Sequence, residues 1–220
     1  MANSTVKELV NKVLRLSGDA KPLTATETID GSLGGIAERI LEFFNVVIAD
    51  VEMKTNWNFL RSDSFGTTDG INDTFEFIGG DDVAAAKAVS VTIDGVGSLQ
   101  ELSPAQFASQ LAIGTLTTPT YFTRQTSAAG KLQVQIYPTP PAGQTLNVTA
   151  YKTATRFVVG TDTTVSEFED TLLIYGALMH LDSYDGLDRG YAQLFGSHLA
   201  NTLMTNFGNR EYRVTMDSYQ

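Results

Sequence analysis

"KLQVQIYPTPPAGQTLNVTAYK", residues 131–152, decides how the middle of this chain is read. Leu132, Val134 and Ile136 alternate with Gln133, Gln135 and Tyr137. After a proline-rich break, Leu146, Val148 and Ala150 alternate with Asn147, Thr149 and Tyr151. Successive side chains of a strand leave opposite faces, so this period of two marks two half-buried strands. Pro138, Pro140 and Pro141 have no N–H to give a ladder, so pairing stops there. Two such runs joined by a short Pro/Gly segment predict an antiparallel hairpin. The stretch carries no nucleophile, no metal ligand and no comb of cations.

Strand signals extend outward from it, from about Phe65 to Val159. "DTFEFI" and "AVSVTIDG" alternate, with Asp94-Gly95 as a tight turn, and "TPTYFTRQ" and "TRFVV" complete the predicted small antiparallel sheet. "SPAQFASQL" interrupts it with Ser103 as N-cap, Pro104 at the first helical position and Gln106 at the capping-box position, which predicts a short helix.

Both ends of the chain have helical spacing instead. Thr5 and Glu8 form a capping box ahead of Val6, Leu9, Val10, Val13 and Leu16, and Gly18 is a natural stop. "GIAERILEFFNVVIADVEMKTNW" places Ile36, Ile40, Phe43, Val47 and Val51 on one stripe, widened by Leu41, Phe44 and Ile48. Near the C-terminus, Ser166 and Glu169 have the form of a further capping box, and Phe168, Leu172, Tyr175 and Met179 share a stripe. "DSYDGLDRG" breaks the pattern, and Tyr191, Leu194, Phe195, Leu199 and Leu203 follow on a last helix ending near Gly208. The expected fold is α+β: a helical bundle built from the N- and C-terminal helices (1–62 and 160–208), an inserted antiparallel β module (63–159) and a tail (209–220).

Composition narrows the function. The chain has 220 residues, 42% hydrophobic and 18% charged, enough for a real core. Its formal net charge is −10, which opposes tight wrapping of nucleic acid, where affinity comes from cations on phosphates. It has no cysteine, so thiolate chemistry, iron–sulfur clusters and cysteine zinc sites are excluded. The N-terminus does not read as a signal peptide and no apolar run approaches a membrane span. The expectation is a soluble protein made in the cytosol, without membrane contact.

Candidate chemistry is thin. Asp182, Asp185 and Asp188 recur every third residue but lack the alternate-oxygen spacing of a calcium loop, and read as a solvated inter-helix turn with Asp188 as N-cap. His180 and His198 lie on the last two helices and could meet across them, yet no HExxH accompanies them. Asp81-Asp82, as sequence neighbours, point apart and suit a turn or cap better than a glycosidase pair. "GSLGG" at 31–35 lacks a P-loop lysine and reads as a helix entry. Trp57, Phe59 and Phe65 suit either a carbohydrate platform or a core. No catalytic, cofactor or metal site is expected, and a chain with well-formed surfaces but no reactive constellation is read as one that assembles.

Three stretches together resemble the head-to-tail adaptor proteins of tailed bacteriophages, the family that includes tail tubular protein A. They are "KTNWNFLRSDSF", "TPTYFTRQ…KLQVQIYPTPPAGQTLNVTAYK" and "EFEDTLLIYGALMHLDSYDGLDRGYAQLFGSHLANTLM". The resemblance implies a structural virion protein of the neck, between capsid and tail, and no enzyme. It implies a ring of copies, typically a dodecamer, below the portal protein, with a tail or nozzle protein beyond. DNA would pass through that ring without specific binding. The tail "NFGNREYRVTMDSYQ" mixes cations with apolar groups in a segment too short for a core. Arg210, Tyr212, Arg213, Val214 and Met216 are therefore expected to form a portal-docking arm. A second reading, a carbohydrate-binding or tail-fibre β module, rests on Tyr121, Tyr137, Tyr151 and Trp57.

Overall fold

The computed structural model describes residues 3–18, 21–29, 35–77, 86, 88–160 and 162–207. It is α+β, and the chain divides into two compact units, Met1–Thr55 with Ala154–Gln220, and Asn56–Thr153.

In the first unit, α1 (Val6–Ser17) opens with the predicted capping box: Thr5 Oγ1 accepts from the Glu8 N–H, and the Glu8 carboxylate accepts from the Thr5 N–H. Such a cap is worth about 1 kcal/mol. Gly18 closes the helix at φ 76°, a conformation that costs glycine nothing. Val6, Leu9, Val10, Val13 and Leu14 are buried, while Leu16, expected on the stripe, is 52% exposed. At 100° per residue, Leu14 lies nearer than Leu16 to the line through Val6, Val10 and Val13.

Helix α2 (Ile36–Lys54) buries Ala37, Ile40, Leu41, Phe44, Val47, Ile48 and Val51; Ile36 and Phe43, placed on the stripe from the sequence, are only half-buried. At about 1.5–3 kcal/mol per fully buried large side chain, this face is a main anchor of the unit.

Helix α4 (Asp170–Asp185), which follows the short α3 (Pro104–Ile113) of the other unit in chain order, departs from expectation in three ways. There is no capping box at Ser166 and Glu169: Glu169 is the N-cap without a side-chain bond, and Ser166 Oγ accepts from the Phe168 N–H instead. There is no single stripe: Leu172, Leu173, Ile174, Gly176, Ala177, Leu178 and Leu181 are buried, because α4 packs against α1, α2 and α5 (Tyr191–Phe207) at once. Finally, Asp182 to Asp185 belong to the helix, which stops only at Gly186.

"TRFVV" is not a strand. Asn45 on α2 accepts the Phe157 N–H and donates to the Phe157 carbonyl, both at 2.8 Å. A side-chain amide thus takes the bonds that a neighbouring strand would have taken.

The second unit holds two four-stranded sheets. Its strands are β1 (Arg61–Thr67), β2 (Thr74–Glu76), β3 (Ala88–Ile93), β4 (Gly97–Ser98), β5 (Gln100–Glu101), β6 (Tyr121–Thr126), β7 (Leu132–Tyr137) and β8 (Thr145–Tyr151), with α3 (Pro104–Ile113) between β5 and β6. The sheet orders are β1-β8-β3-β4 and β2-β7-β6-β5, and all named pairs are antiparallel except β5 with β6. One core joins them: Val91, Ile93, Leu146, Val148 and Ala150 from the first sheet meet Phe122, Leu132, Val134 and Ile136 from the second. This is a two-sheet sandwich.

The opening stretch is therefore two strands but not a hairpin. Both edges of β7 are taken by β6 and β2, and both edges of β8 by β1 and β3. The proline segment carries the chain from one sheet to the other. Thr68, buried at the end of β1, holds it there: Gly143 N–H donates to Thr68 O (2.7 Å), Thr68 N–H to Gln144 O (2.9 Å) and Gln144 N–H to Thr68 Oγ1 (3.0 Å). The predicted Asp94-Gly95 turn joins β3 to β4, and the Ser103–Gln106 capping box starts α3.

Candidate assembly surfaces

In the helical unit, polar side chains fasten one end of the chain to the other. Asp170, in the first turn of α4, accepts from the Ser4 N–H (2.9 Å), the Ser4 hydroxyl (2.5 Å) and Lys12 Nζ (2.7 Å). Asn3 Nδ2 donates to the carbonyls of Ser166 (2.7 Å) and Phe168 (3.1 Å). Burial pushes the Asp170 pKa upward, but the bonds from Lys12 and Ser4 together outweigh it, and the carboxyl lies below its ordinary value.

A second fastening occupies the stretch that the sequence reads as a solvated inter-helix turn. Asp182 is buried, not solvated. Its Oδ1 accepts from Arg189 Nε (2.6 Å) and its Oδ2 from the Arg189 N–H (2.9 Å). Arg189 Nη1 then reaches the Ser17 carbonyl at the C-terminal end of α1 (2.8 Å), where a cation also suits the helix dipole. Asp188 Oδ1 accepts from the Gly190 N–H. Asp182 serves a structural clasp whose centre is Arg189, which the sequence reading passed over, while Asp185 and Asp188 are exposed. Among the described residues no three His, Asp or Glu side chains gather as a metal site would require.

The two histidines face different partners. His180 stacks on Phe43 and His198 on Tyr175, with ring centroids 5.7 and 5.2 Å apart. Trp57 is 1% exposed and stacks on Phe59, so it offers no open ring face to a sugar. Tyr121 and Tyr137 pair across β6 and β7, whereas Tyr151 lies in the other sheet. Asp81, Asp82 and residues 31–34 lie outside the described residues. So do Arg210, Tyr212, Arg213, Val214 and Met216 of the predicted arm.

What remains is surface. Helix α5 contains no Asp, Glu, Lys or Arg; it meets α4 through Tyr191, Phe195 and His198 and exposes Leu194 and Met204. In the sandwich, α3 buries only Phe107, leaving Leu111, Ile113 and the following Leu116 exposed. Phe65 on β1 and Ile71 beyond it are exposed as well. A charge-free run on an otherwise acidic chain is the sequence signal that marks both helices. No described helix is long and apolar enough to cross a membrane.

A search of curated proteins gives no match. A family model does match, that of the SU10 adaptor protein, over residues 4–217. The match spans both units, and the family is one of structural phage proteins, not an enzyme class. With a match across nearly its whole length, the chain belongs to the SU10 adaptor protein family, the phage adaptors of the virion.

Proposed function

We propose that this chain is a head-to-tail adaptor of the tail tubular protein A kind, a ring-forming piece of the neck. Copies assemble below the portal protein, as a dodecamer in the arrangement the resemblance implies, and connect the capsid to a tail or nozzle protein. The helical frame from the two chain ends forms the body of the ring. DNA passes through without specific binding, since a subunit of net charge −10 repeated around a channel repels phosphate. The observation that carries the reading is the single family match across residues 4–217. The two clasps support it. Asp170 and Arg189 tie the N-terminal segment and α1 to α4 and the turn before α5, joining the two chain ends into one frame.

The test mixes purified chain with heads that carry portal but lack a tail. The full chain should sediment with the heads and appear as a ring at the portal vertex in electron micrographs. Deleting 209–220 should leave the thermal melt unchanged and abolish joining. A full chain that never joins heads sinks the adaptor reading; a truncated chain that joins at full occupancy moves the docking arm elsewhere.

A further inference from the structure

The two edges of the sandwich differ in kind. At one, the chain runs from β4 through Leu99 into β5 and so bridges the sheets; Leu99 N–H donates to Val91 O and Gln100 N–H to Thr120 O, each at 2.9 Å. Helix α3 follows β5 directly and packs on β6, at this bridged edge. At the other, β1 and β2 are the outermost strands of their sheets. Between them opens a groove of about 330 Å³ with Phe65, Phe75, Leu146 and Val148 in its lining. That is the lower end of the range for small-ligand pockets, about 300–1,000 Å³.

The groove is apolar at its base, where Phe75, Leu146 and Val148 lie. Around it the lining is polar, with Ser64, Thr67, Asn72 and Thr74, and the carboxylates of Asp69 and Glu76 stand at the rim. Asp69 is committed to the N–H groups of Ile71 and Asn72, which hold its carboxyl below the ordinary value, and Glu76 pairs with Lys131 at 3.1 Å. Phe65, at 67% exposed, is a large apolar side chain left in water beside the groove, on the outer face of β1 with its cross-strand partner Asn147. At the bridged edge stands its opposite. Residues 102–123 contain no Asp, Glu, Lys or Arg, and Leu111, Ile113 and Leu116 are 43%, 60% and 38% exposed. The other comparable charge-free run of the sandwich, residues 132–151, is accounted for by the buried strands β7 and β8. The run through α3 has no such account within the chain.

Copies of a −10 chain repel one another, so a contact between them is favoured where at least one side is uncharged. An apolar groove with an acidic rim accepts an uncharged apolar tip and rejects an acidic one. Tip and groove lie at opposite ends of the strand order of one sandwich, so a single chain cannot satisfy both. A contact of one copy's tip with the next copy's groove is heterologous, and repeats head to tail until it closes. We propose that the α3 tip of one copy, Leu111, Ile113 and Leu116, seats in the β1/β2 groove of its neighbour. This rests on the ring reading above and adds the surfaces that make it.

The cysteine-free chain allows a clean test. Ile113→Cys and Phe65→Cys are introduced singly and together, the proteins are loaded onto portal-bearing heads, and a short bis-maleimide is added. The double variant should give a ladder of multimers and neither single variant any. Dimers from Ile113→Cys alone, or from Phe65→Cys alone, would show a symmetric contact and overturn the proposal. So would the absence of a ladder from a double variant present on heads at wild-type occupancy, which would leave tip and groove to a different partner. Ile113→Asp supplies a second reading: its melt should match wild type, since the side chain is exposed, while occupancy on heads falls at least tenfold. Unchanged occupancy would overturn the interface. Wild-type chain that fails to join heads is a distinct result, and it removes the adaptor reading itself.

Discussion

Gly176 on α4 meets Val47 on α2 so closely that a methyl group at 176 would sit 2.6 Å from Val47 Cγ2 and 2.7 Å from its Cγ1. Phe195 of α5 stands 3.1 Å away on another side of the same position. Glycine is required here by space and not by a turn. Gly176→Ala gains about 1 kcal/mol of helix propensity but overpacks a filled site, which costs about 1–3 kcal/mol. The expected net effect is a lower midpoint in urea. Val47→Ala in the same chain should restore part of the loss, giving a non-additive double mutant. A Gly176→Ala protein as stable as wild type would disprove the close crossing.

The Asp182–Arg189 clasp makes an unequal prediction for its two members. The Asp182 side chain is 7% exposed and that of Arg189 29%. Arg189→Ala strands a buried carboxylate and should cost about 3 kcal/mol, the lower end for breaking a buried pair. Replacing both, as Asp182→Asn with Arg189→Met, should cost less than Arg189→Ala alone. Denaturant melts of the three proteins decide it, and a double variant worse than Arg189→Ala would refute the argument.

Acid should loosen the N-terminal fastening. The Asp170 carboxyl is held below its ordinary value in the fold, so its contribution is complete above the unfolded value of about 3.9. It is lost as pH falls through the lower folded value. Asp170→Asn should therefore reduce the melting temperature at pH 7, by the equivalent of about 1.5 kcal/mol for charge-assisted bonds. Its deficit against wild type should shrink toward pH 2. A deficit that stays constant across this range would separate the effect from the charge.

The aromatic run after α2 divides in the same physical way. Trp57, at 1% exposed, should cost about 3–5 kcal/mol when cut to alanine. Phe65→Ser should fall within about 0.5 kcal/mol of wild type, as exposed positions do. A large stability loss at Phe65 would mean that the groove is part of the core and not a docking surface.

Local signals were legible where one residue decides one bond. The capping boxes at Thr5 and Ser103 and the stop at Gly18 need only their own turn, and each is present. The Ser166–Glu169 pair has the same form, yet Asp170 is taken by Ser4 and Lys12 and the helix begins at Asp170, three residues later than a box with Ser166 as N-cap requires. "TRFVV" has strand composition, but Asn45, far away in sequence, supplies its hydrogen bonds. Arg189 was passed over because its partners, Asp182 and Ser17, come together only after α1 and α4 have packed.

By itself the sequence determined the order of element types: helices at both ends, strands between them, one capped helix among the strands, and long runs free of charge. It also determined that thiol chemistry is excluded. The tertiary structure alone decided which strands pair. Alternation of Leu132, Val134 and Ile136, and of Leu146, Val148 and Ala150, states that each strand has one buried face and says nothing about its neighbours. A hairpin and a crossing between two sheets bury the same residues, so the pattern cannot choose between them. The choice was made by Thr68, which holds the proline segment at the end of β1, and by β2, β6, β1 and β3, which fill the edges that β7 and β8 would have offered each other.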